Sequence, residues 1–214
     1  MNTILTSAGR LHHLDGVEVW APYNVSTVRE IAHALAQINR FTGHCARPYS
    51  VAEHSLLVAD IVHATHQGIN HNRVEVELAA LLHDAHESVT GDAASPIKRV
   101  LGQAWEWFED EQQNALLDGY DLLTAYQKHR HVIKQADLIA LATERRDLMP
   151  WTKHGSEPWD VLDKAGEQVE PWPHVNLNNI ARRMAPWWWW RRQFEARVHG
   201  LAGLVAAYQA VSKP

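Results

Sequence analysis

The adjacent residues His83 and Asp84 lie within the segment VEVELAALLHDAHESVTGDAASPIKR, whose apolar residues recur at helical spacing. A carboxylate removed from water is costly unless it is paired, hydrogen-bonded or bound to a metal. A divalent cation would satisfy both side chains at once. Because His54 and Asp137 lie in similar apolar helical patterns, the four residues form a candidate N2O2 ligand set for zinc, manganese, iron or cobalt.

Glu87 is spaced to act on a water molecule beside this pair. It follows His83 by four residues and Asp84 by three, so the three share one helix face. A divalent cation lowers the pKa of bound water, and a nearby carboxylate can accept or return the proton. These residue types therefore indicate hydrolysis. For a phosphate ester, cations must offset the substrate charge, and four lie in bordering loops: Arg40, Arg47, Lys98 and Arg99.

The amino-terminal part of the chain combines an undecided segment with a clear helix start. The first 25 residues mix glycine, proline and short apolar patches, which is compatible with a small hairpin or with an irregular arm. Thr27 and Glu30 then form a capping box, and apolar residues follow at helical spacing. This pattern predicts a first helix over residues 28–39.

A second capping box, formed by Ser50 and Glu53, precedes the helical pattern VAEHSLLVADIVHATHQ. His54 falls in the first turn of this second helix. It shares a face with the apolar residues Val58 and Ile61, so we expect its side chain to point inward.

The third helix is predicted from about Val74 to Ser88, with a stop at Gly91. This places the His83-Asp84 pair near its carboxyl end. The following segment, DAASPIKR, is predicted to be a loop because Pro96 disfavours helix before it.

Three further segments complete an all-α prediction. Two segments have amphipathic helical patterns, AWEWFEDEQQNALLDG and AYQKHRHVIKQADLIALATERRDLM. Pro150 is expected to terminate the second. Residues 150–173 are rich in tryptophan, proline and glycine and are predicted to form a long loop. Pro186 suits the first position of a last, tryptophan-rich helix. We expect one domain over residues 1–214.

Composition excludes several classes of protein. The chain of 214 residues is 46% hydrophobic and 21% charged, as expected for an ordinary globular protein. Its apolar runs are too short to cross a bilayer, and its start lacks the pattern of a secretion signal. Cys45 is the single cysteine, which fits an intracellular setting. The net charge of -5 argues against general affinity for nucleic acids.

The ligand set together with the pattern HDxxExxTGDxxxPxK resembles the HD-domain phosphohydrolases. The run HDAHESVTGDAASPIK looks like the bacterial 5'-deoxynucleotidases. A second run, RFTGHCARPYSVAEHSLLVAD, is similar to small phage HD proteins, among them dATP triphosphohydrolases. The resemblance covers roughly residues 28–150 and implies an all-α HD-domain helical bundle.

Carried over by position, the resemblance implies that His54, His83, Asp84 and Asp137 bind one divalent ion, with zinc, cobalt or manganese as candidates and Mg²⁺ a further candidate beside the substrate phosphates. Four further roles follow from the same resemblance. Glu87 acts on the attacking water, Arg40 and Lys98 hold phosphate, Asp92 lies near the sugar and the reaction centre, and Phe41 stands where the deoxynucleotidases carry a tryptophan that shapes the sugar pocket.

Three functions follow from this resemblance. The spacing from Arg40 to His54 matches the phage form, which favours a dATP triphosphohydrolase that releases deoxynucleoside and triphosphate. The alternative is a 5'-deoxynucleotidase that acts on deoxynucleoside monophosphates. A nucleotide-sensing module without turnover is the alternative from another class. Any of the three would act in the cytoplasm of a bacterial cell or a phage-infected host.

The run Trp187–Trp190, followed by Arg191 and Arg192, admits two interpretations. Aromatic and basic residues together are typical of nucleic-acid or membrane contacts. Four consecutive tryptophans, however, cover every side of a helix, so some of them must face a core or another subunit. We therefore predict packing and a homo-oligomer, with neither nucleic acid nor membrane as a partner.

Histidines between the HD pair and Asp137 raise the question of a second metal. His129 and His131 fall in that interval, but their spacing differs from the pattern expected of a two-metal HD protein. A mononuclear site is therefore favoured over a di-iron oxygenase.

Overall fold

The computed structural model describes residues 2–66 and 70–212. Helices make up most of this part of the chain, and one two-stranded sheet lies near its amino end, which confirms the all-α prediction. The helices, in chain order, are α1 (Val28–Leu35), α2 (Val51–Thr65), α3 (Asn70–Leu81), α4 (Glu87–Thr90), α5 (Ser95–Leu101), α6 (Gln103–Gly119), α7 (Leu123–Leu148), α8 (Asp160–Asp163), α9 (Ile180–Met184) and α10 (Trp187–Ser212).

The amino-terminal segment forms a hairpin, which decides between the two alternatives left by the sequence. Strand β1 (Thr3–Leu5) pairs antiparallel with β2 (Leu11–His13). Arg10 fastens the hairpin to α1, because its guanidinium donates hydrogen bonds to both carboxylate oxygens of Glu30. The hydroxyl of Thr6 donates to the same carboxylate at 2.5 Å. One buried acid thus links the hairpin to the helical body.

Helix α1 begins at the predicted capping box but ends at Leu35, four residues before the predicted end. Thr27 and Glu30 exchange both hydrogen bonds of the box. Asn39 then forms an antiparallel bridge with Ser50, and its extended backbone (φ -86°, ψ 133°) cannot continue a helix. Pairing with a distant segment therefore overrides the local helical pattern.

Helix α2 is buried along most of its length and carries His54. Ser50 caps it as predicted, by accepting a hydrogen bond from the Glu53 amide. The Glu53 side chain does not complete the predicted box, because it binds the guanidinium groups of Arg47 and Arg182. Arg47 is therefore a buried structural residue, and it does not line the cavity beside the predicted metal ligands.

The His83-Asp84 pair lies in a turn, so its predicted place inside a continuous helix is wrong. Helix α3 ends at Leu81 and α4 begins at Glu87. Between them the backbone hydrogen bonds span three residues, as from the Glu87 amide to the Asp84 carbonyl and from the Ala85 amide to the Leu82 carbonyl. This tighter winding changes the direction of the chain, which lets adjacent side chains converge.

Gly91 and Pro96 shape the segment after α4. Gly91 has a φ of 79°, which glycine adopts without strain, and it follows the last residue of α4 as predicted. The predicted loop over residues 92–99 is wrong in its second half, because α5 begins at Ser95. Pro96 lies in the first turn of α5, where its missing N–H costs no helical hydrogen bond. Lys98 therefore projects from a helix.

Helices α6 and α7 agree with the sequence patterns. Helix α7 ends at Leu148, just before Pro150. It packs against α2 and α3 through a buried apolar cluster that includes Ile61, Ala79 and Ile133. Fully burying an aliphatic side chain of this size contributes roughly 1.5–3 kcal/mol. These contacts hold together the three segments that carry the predicted metal ligands.

The carboxyl-terminal part wraps this body and ends in a long helix. Residues 150–173 are largely irregular as predicted, with α8 as one helical stretch. In the tryptophan run, Trp190 is only 7% exposed, whereas Trp187, Trp188 and Trp189 are 39–45% exposed. Part of the run thus packs on the core, and oligomer contact stays a prediction. None of the helices described is long and apolar enough to cross a membrane.

Replacement of Glu30 by glutamine tests the link between the hairpin and α1. Burial opposes ionisation, but hydrogen bonds from Arg10, Thr6 and Thr27 lower the pKa of Glu30 from 4.5 to about 2. A depressed pKa stabilises the fold above the unfolded-state pKa, and this stability is lost as pH falls through the folded-state value. We expect Glu30→Gln to lower the free energy of unfolding by about 2 kcal/mol at neutral pH.

Urea unfolding at a series of pH values measures this effect. The difference between wild type and Glu30→Gln should shrink as pH falls from 4.5 towards 2. Glu170→Gln, at an exposed glutamate, is the matched control and should show no such difference. A difference that stays constant over this pH range would contradict the assignment.

Candidate active site

The four predicted metal ligands converge on one point between α2, the turn after α3, and α7. The His54 Nε2 atom lies 3.4 Å from Asp84 Oδ2 and 3.3 Å from Asp137 Oδ1. His83 Nε2 lies 3.2 Å from the same Asp84 oxygen. Both Nε2 atoms are buried and have no hydrogen-bond partner among the described residues. The structure therefore brings together all four residues singled out from the sequence.

We refer to His54, His83, Asp84 and Asp137 as the donor set. Its geometry fits a divalent cation. Ligand atoms that share an ion at about 2.0–2.2 Å lie roughly 3.0–3.5 Å from one another, which matches the separations seen here. The remaining ring nitrogens face acceptors: His83 Nδ1 lies 2.7 Å from the Ala80 carbonyl and His54 Nδ1 lies 2.5 Å from Glu144 Oε1. Because Nδ1 of a neutral ring must donate to these acceptors, Nε2 keeps its lone pair for a cation.

Glu144 orients two groups of the site and was missed in the sequence analysis. It is fully buried on α7, and besides His54 it accepts a hydrogen bond from the Arg40 guanidinium at 3.2 Å. Burial and Arg40 lower the pKa of His54, but Glu144 and Asp137 outweigh them and raise it to about 9. The surroundings of His54 thus favour positive charge. Glu144 follows Asp137 by seven residues and therefore lies on the same face of α7. This spacing would have allowed Glu144 to be predicted from the sequence.

The Asp137 carboxylate contacts both Lys134 and His54. Its Oδ2 atom accepts a hydrogen bond from Lys134 at 2.8 Å, while Oδ1 faces His54. Lys134 is exposed. Pairing with lysine and a position in the donor set are therefore compatible for this carboxylate.

Two neighbouring carboxyl groups have pKa values shifted in opposite directions. Burial would raise the pKa of Asp84, but His83, His54 and Arg40 hold it well below its ordinary value. For Glu87, burial and the negative charges of Asp84 and Asp92 raise the pKa well above its ordinary value. Glu87 can therefore hold a proton beside an ionised aspartate, which is the arrangement required of a general acid or base.

The donor set opens into a cavity of about 550 Å³. This is within the usual range for small-ligand sites, about 300–1,000 Å³. The other predicted site residues also line it, namely Arg40, Phe41, Glu87, Asp92 and Lys98. Arg99 lines the cavity as well. The cavity therefore places the donor set beside several basic and acidic side chains that could contact a substrate.

Two strained residues follow Arg40 at the cavity edge. Phe41 and Thr42 have φ values of 55° and 50°, in the left-handed region that residues other than glycine rarely adopt. Arg40 itself reaches Glu144 and lies 3.6 Å from Asp84. The strained turn thus lies beside Arg40, whose guanidinium is next to the donor set.

Lys98 also has a partner that the sequence analysis missed. Its ammonium donates a hydrogen bond at 2.6 Å to Glu109 on α6, and His86 Nε2 lies 3.4 Å from the same oxygen. The carboxylates of Glu109 and Glu87 and the His86 ring form a second cluster of possible ligand atoms. Lys98 already supplies a positive charge to it. No local pattern links α5 to α6, so this contact could not be read from the sequence.

A comparison with protein-family models finds a match to this chain. The family model described as 5'-deoxynucleotidase YfbR-like matches residues 28–143, which is more than half of the sequence. The chain belongs to the YfbR-like 5'-deoxynucleotidase family. It is thus a phosphohydrolase of the HD superfamily, as the sequence predicted, and the family implies a divalent metal.

Individual relatives are similar to this chain, and one of them is a 5'-deoxynucleotidase. YfdR of Escherichia coli K12 is 32% identical over 69% of this chain and 73% of its own length. An uncharacterised protein of Rhodobacter capsulatus is 30% identical over 81% of this chain and 84% of its own length. The 5'-deoxynucleotidase PM0747 of Pasteurella multocida is 35% identical over 42% of this chain and 57% of its own length. Two of these matches cover most of both proteins.

The role of Glu144 in this YfbR-like protein can be tested by metal affinity. Glu144→Gln keeps the size of the side chain but removes the charge that orients His54. Loss of such an outer partner typically costs 10- to 100-fold in metal affinity, and we expect a decrease of that order. Competition with a coloured chelator measures it, with the exposed Glu157→Gln as control. Unchanged zinc affinity in a folded Glu144→Gln protein would refute the role.

Proposed function

We propose that this protein is a metal-dependent 5'-deoxynucleotidase, which releases orthophosphate from deoxynucleoside monophosphates. The observation that carries the proposal is the donor set, with the buried and unpartnered Nε2 atoms of its two histidines, at the end of a cavity lined by Glu87, Arg40 and Lys98. The family match and the named relative from Pasteurella support this activity better than the dATP triphosphohydrolase favoured by the loop spacing.

The charges of the cavity also favour a monophosphate. Four cationic side chains line it, but three are already paired with carboxylates: Arg40 with Glu144, Lys98 with Glu109, and Lys134 with Asp137. Within the described parts of the chain, Arg99 is the lining cation without an ion pair. A triphosphate would need further cations for its β- and γ-phosphates. The lining therefore suits the smaller charge of one phosphate group.

The proposed reaction assigns the metal to His54, His83, Asp84 and Asp137. When bound, a divalent ion would polarise a phosphoryl oxygen and promote ionisation of water. Glu87 accepts the proton of the water whose oxygen forms the new bond to phosphorus. The bond from phosphorus to the 5' oxygen breaks, and that oxygen takes up the proton that Glu87 accepted as deoxynucleoside leaves. The products are orthophosphate and a deoxynucleoside.

The remaining lining residues bind and orient the substrate. Arg40 and Lys98 line the cavity while paired with Glu144 and Glu109. Their remaining N–H groups donate hydrogen bonds to the phosphoryl oxygens. Asp92 is positioned after the Gly91 turn and lines the same cavity, where it can accept a hydrogen bond from the sugar. Burial, as the largest effect, raises the pKa of Asp92.

Product analysis tests the choice between the substrates. We expect protein loaded with cobalt, manganese or zinc to convert deoxynucleoside monophosphates to deoxynucleoside and orthophosphate. With dATP we expect no triphosphate. Ion-exchange chromatography of the products identifies them directly. Release of triphosphate from dATP would instead establish the triphosphohydrolase, and the absence of any turnover would support the nucleotide-sensing alternative.

Glu87→Gln separates catalysis from binding. The substitution removes the proton acceptor and leaves the four proposed ligands in place. General acid–base groups contribute typically 10²–10⁴-fold, so we expect kcat to fall by about that factor with metal content unchanged. Steady-state kinetics and metal analysis of the same preparations measure both quantities. A kcat within about twofold of wild type would rule out Glu87 as the acid or base.

A further inference from the structure

The cavity is also lined by apolar residues that take no part in the proposed phosphate chemistry. They include Phe41, Leu138, Leu141, Met149 and Trp159. Phosphate and metal need charged and polar groups, so an apolar surface in the same cavity is available to another part of the substrate. Trp159 comes from the segment after α7, beyond the stretch that matches the family model.

Trp159 is held in a defined position. Its backbone amide donates a hydrogen bond to Asp163 at 2.7 Å. Asp163 in turn accepts two hydrogen bonds from the buried Arg145 guanidinium. That guanidinium lies over the Trp159 ring, 5.4 Å from its centroid, and over Trp151 at 3.9 Å. Contacts with α7 and α8 thus fix the indole before any substrate binds.

Phe41 extends the aromatic surface towards the phosphate-binding groups. Its ring centroid lies 6.2 Å from that of Trp159, and the two planes are tilted by 40°. A base inserted between two parallel rings would need about 7 Å, twice a contact of about 3.5 Å. The two rings are therefore too close and too tilted to enclose a base. They form one bent surface, on which a planar group can lie.

We propose that Trp159 is a specificity-determining residue that stacks against the nucleobase of the substrate, with Phe41 beside it next to the sugar. This inference rests on the proposed deoxynucleotidase function. It assigns the nucleobase to the apolar part of the cavity, which the phosphate chemistry does not use. Stacking tolerates every base, since all bases present a π-face. The protein should therefore accept several deoxynucleoside monophosphates, with purines, which have the larger face, bound more tightly than pyrimidines.

The base lies away from the reacting phosphorus, so stacking is equally strong in the ground state and the transition state. Loss of such a contact raises KM and leaves kcat unchanged. By contrast, a tryptophan that only closes the cavity would affect substrates with and without a base alike. A substrate that lacks the base, 2-deoxyribose 5-phosphate, distinguishes the two roles.

The experiment compares wild type, Trp159→Ala and Trp159→Phe on dAMP, dCMP and 2-deoxyribose 5-phosphate. For Trp159→Ala we expect KM for dAMP to rise about 5- to 30-fold, in line with the stacking of one base on an aromatic ring. The values of kcat for dAMP, and of kcat/KM for the baseless substrate, should stay within about twofold. Trp159→Phe should recover most of the dAMP affinity. Trp107→Ala, at a tryptophan that is 66% exposed on α6, is the matched control.

Several outcomes would overturn the stacking role. An unchanged KM for dAMP in Trp159→Ala excludes it, and so does an equal loss on dAMP and 2-deoxyribose 5-phosphate. If wild type hydrolyses no deoxynucleoside monophosphate, the proposed function fails. Calorimetric titration of wild type and Trp159→Ala with dAMP and with 2-deoxyribose 5-phosphate then decides the stacking role by itself. Equal dAMP affinities of the two proteins, or no dAMP binding by wild type, would refute it.

Discussion

The site depends on two buried imidazole nitrogens, those of His54 and His83, that lie 3.2–3.4 Å from carboxylate oxygens of Asp84 and Asp137. Buried polar groups normally have hydrogen-bond partners, and a missing partner is energetically costly. The nitrogens concerned have none among the described residues. A cation bound between them would remove this cost. The packing of α2, α3 and α7 keeps the groups in place, so the core serves the chemistry as well as stability.

Glu144 links the proposed metal ligands to the proposed phosphate-binding residues. Its two carboxylate oxygens contact His54 and Arg40, and Arg40 also approaches Asp84. A single buried acid therefore orients one proposed ligand and one proposed substrate cation. Since both contacts depend on the same side chain, Glu144 on α7 fixes the position of His54 relative to Arg40.

The segment after α7 supports the site from outside the family-matched stretch. Arg182 reaches Glu53, which lies next to His54 on α2, and Arg47 joins the same carboxylate to the Leu177 carbonyl. Arg145 and Asp163 likewise position Trp159 at the cavity. The long irregular connection is thus a structural element with buried ionic contacts. Trp159 in this connection and Arg182 in α9 contact residues of the helical body.

Local patterns in the sequence determined most of the helices and all four members of the donor set. Capping residues, apolar periodicity and prolines act over a few positions, and so the starts of α1 and α2 and the end of α7 follow from them. The pairing of Asn39 with Ser50, the contact of Lys98 with Glu109 and the contact of Trp159 with Phe41 join separate segments of the chain. Only the tertiary structure decided these features, because hydrogen bonds and charges there depend on which segments the packed core brings together.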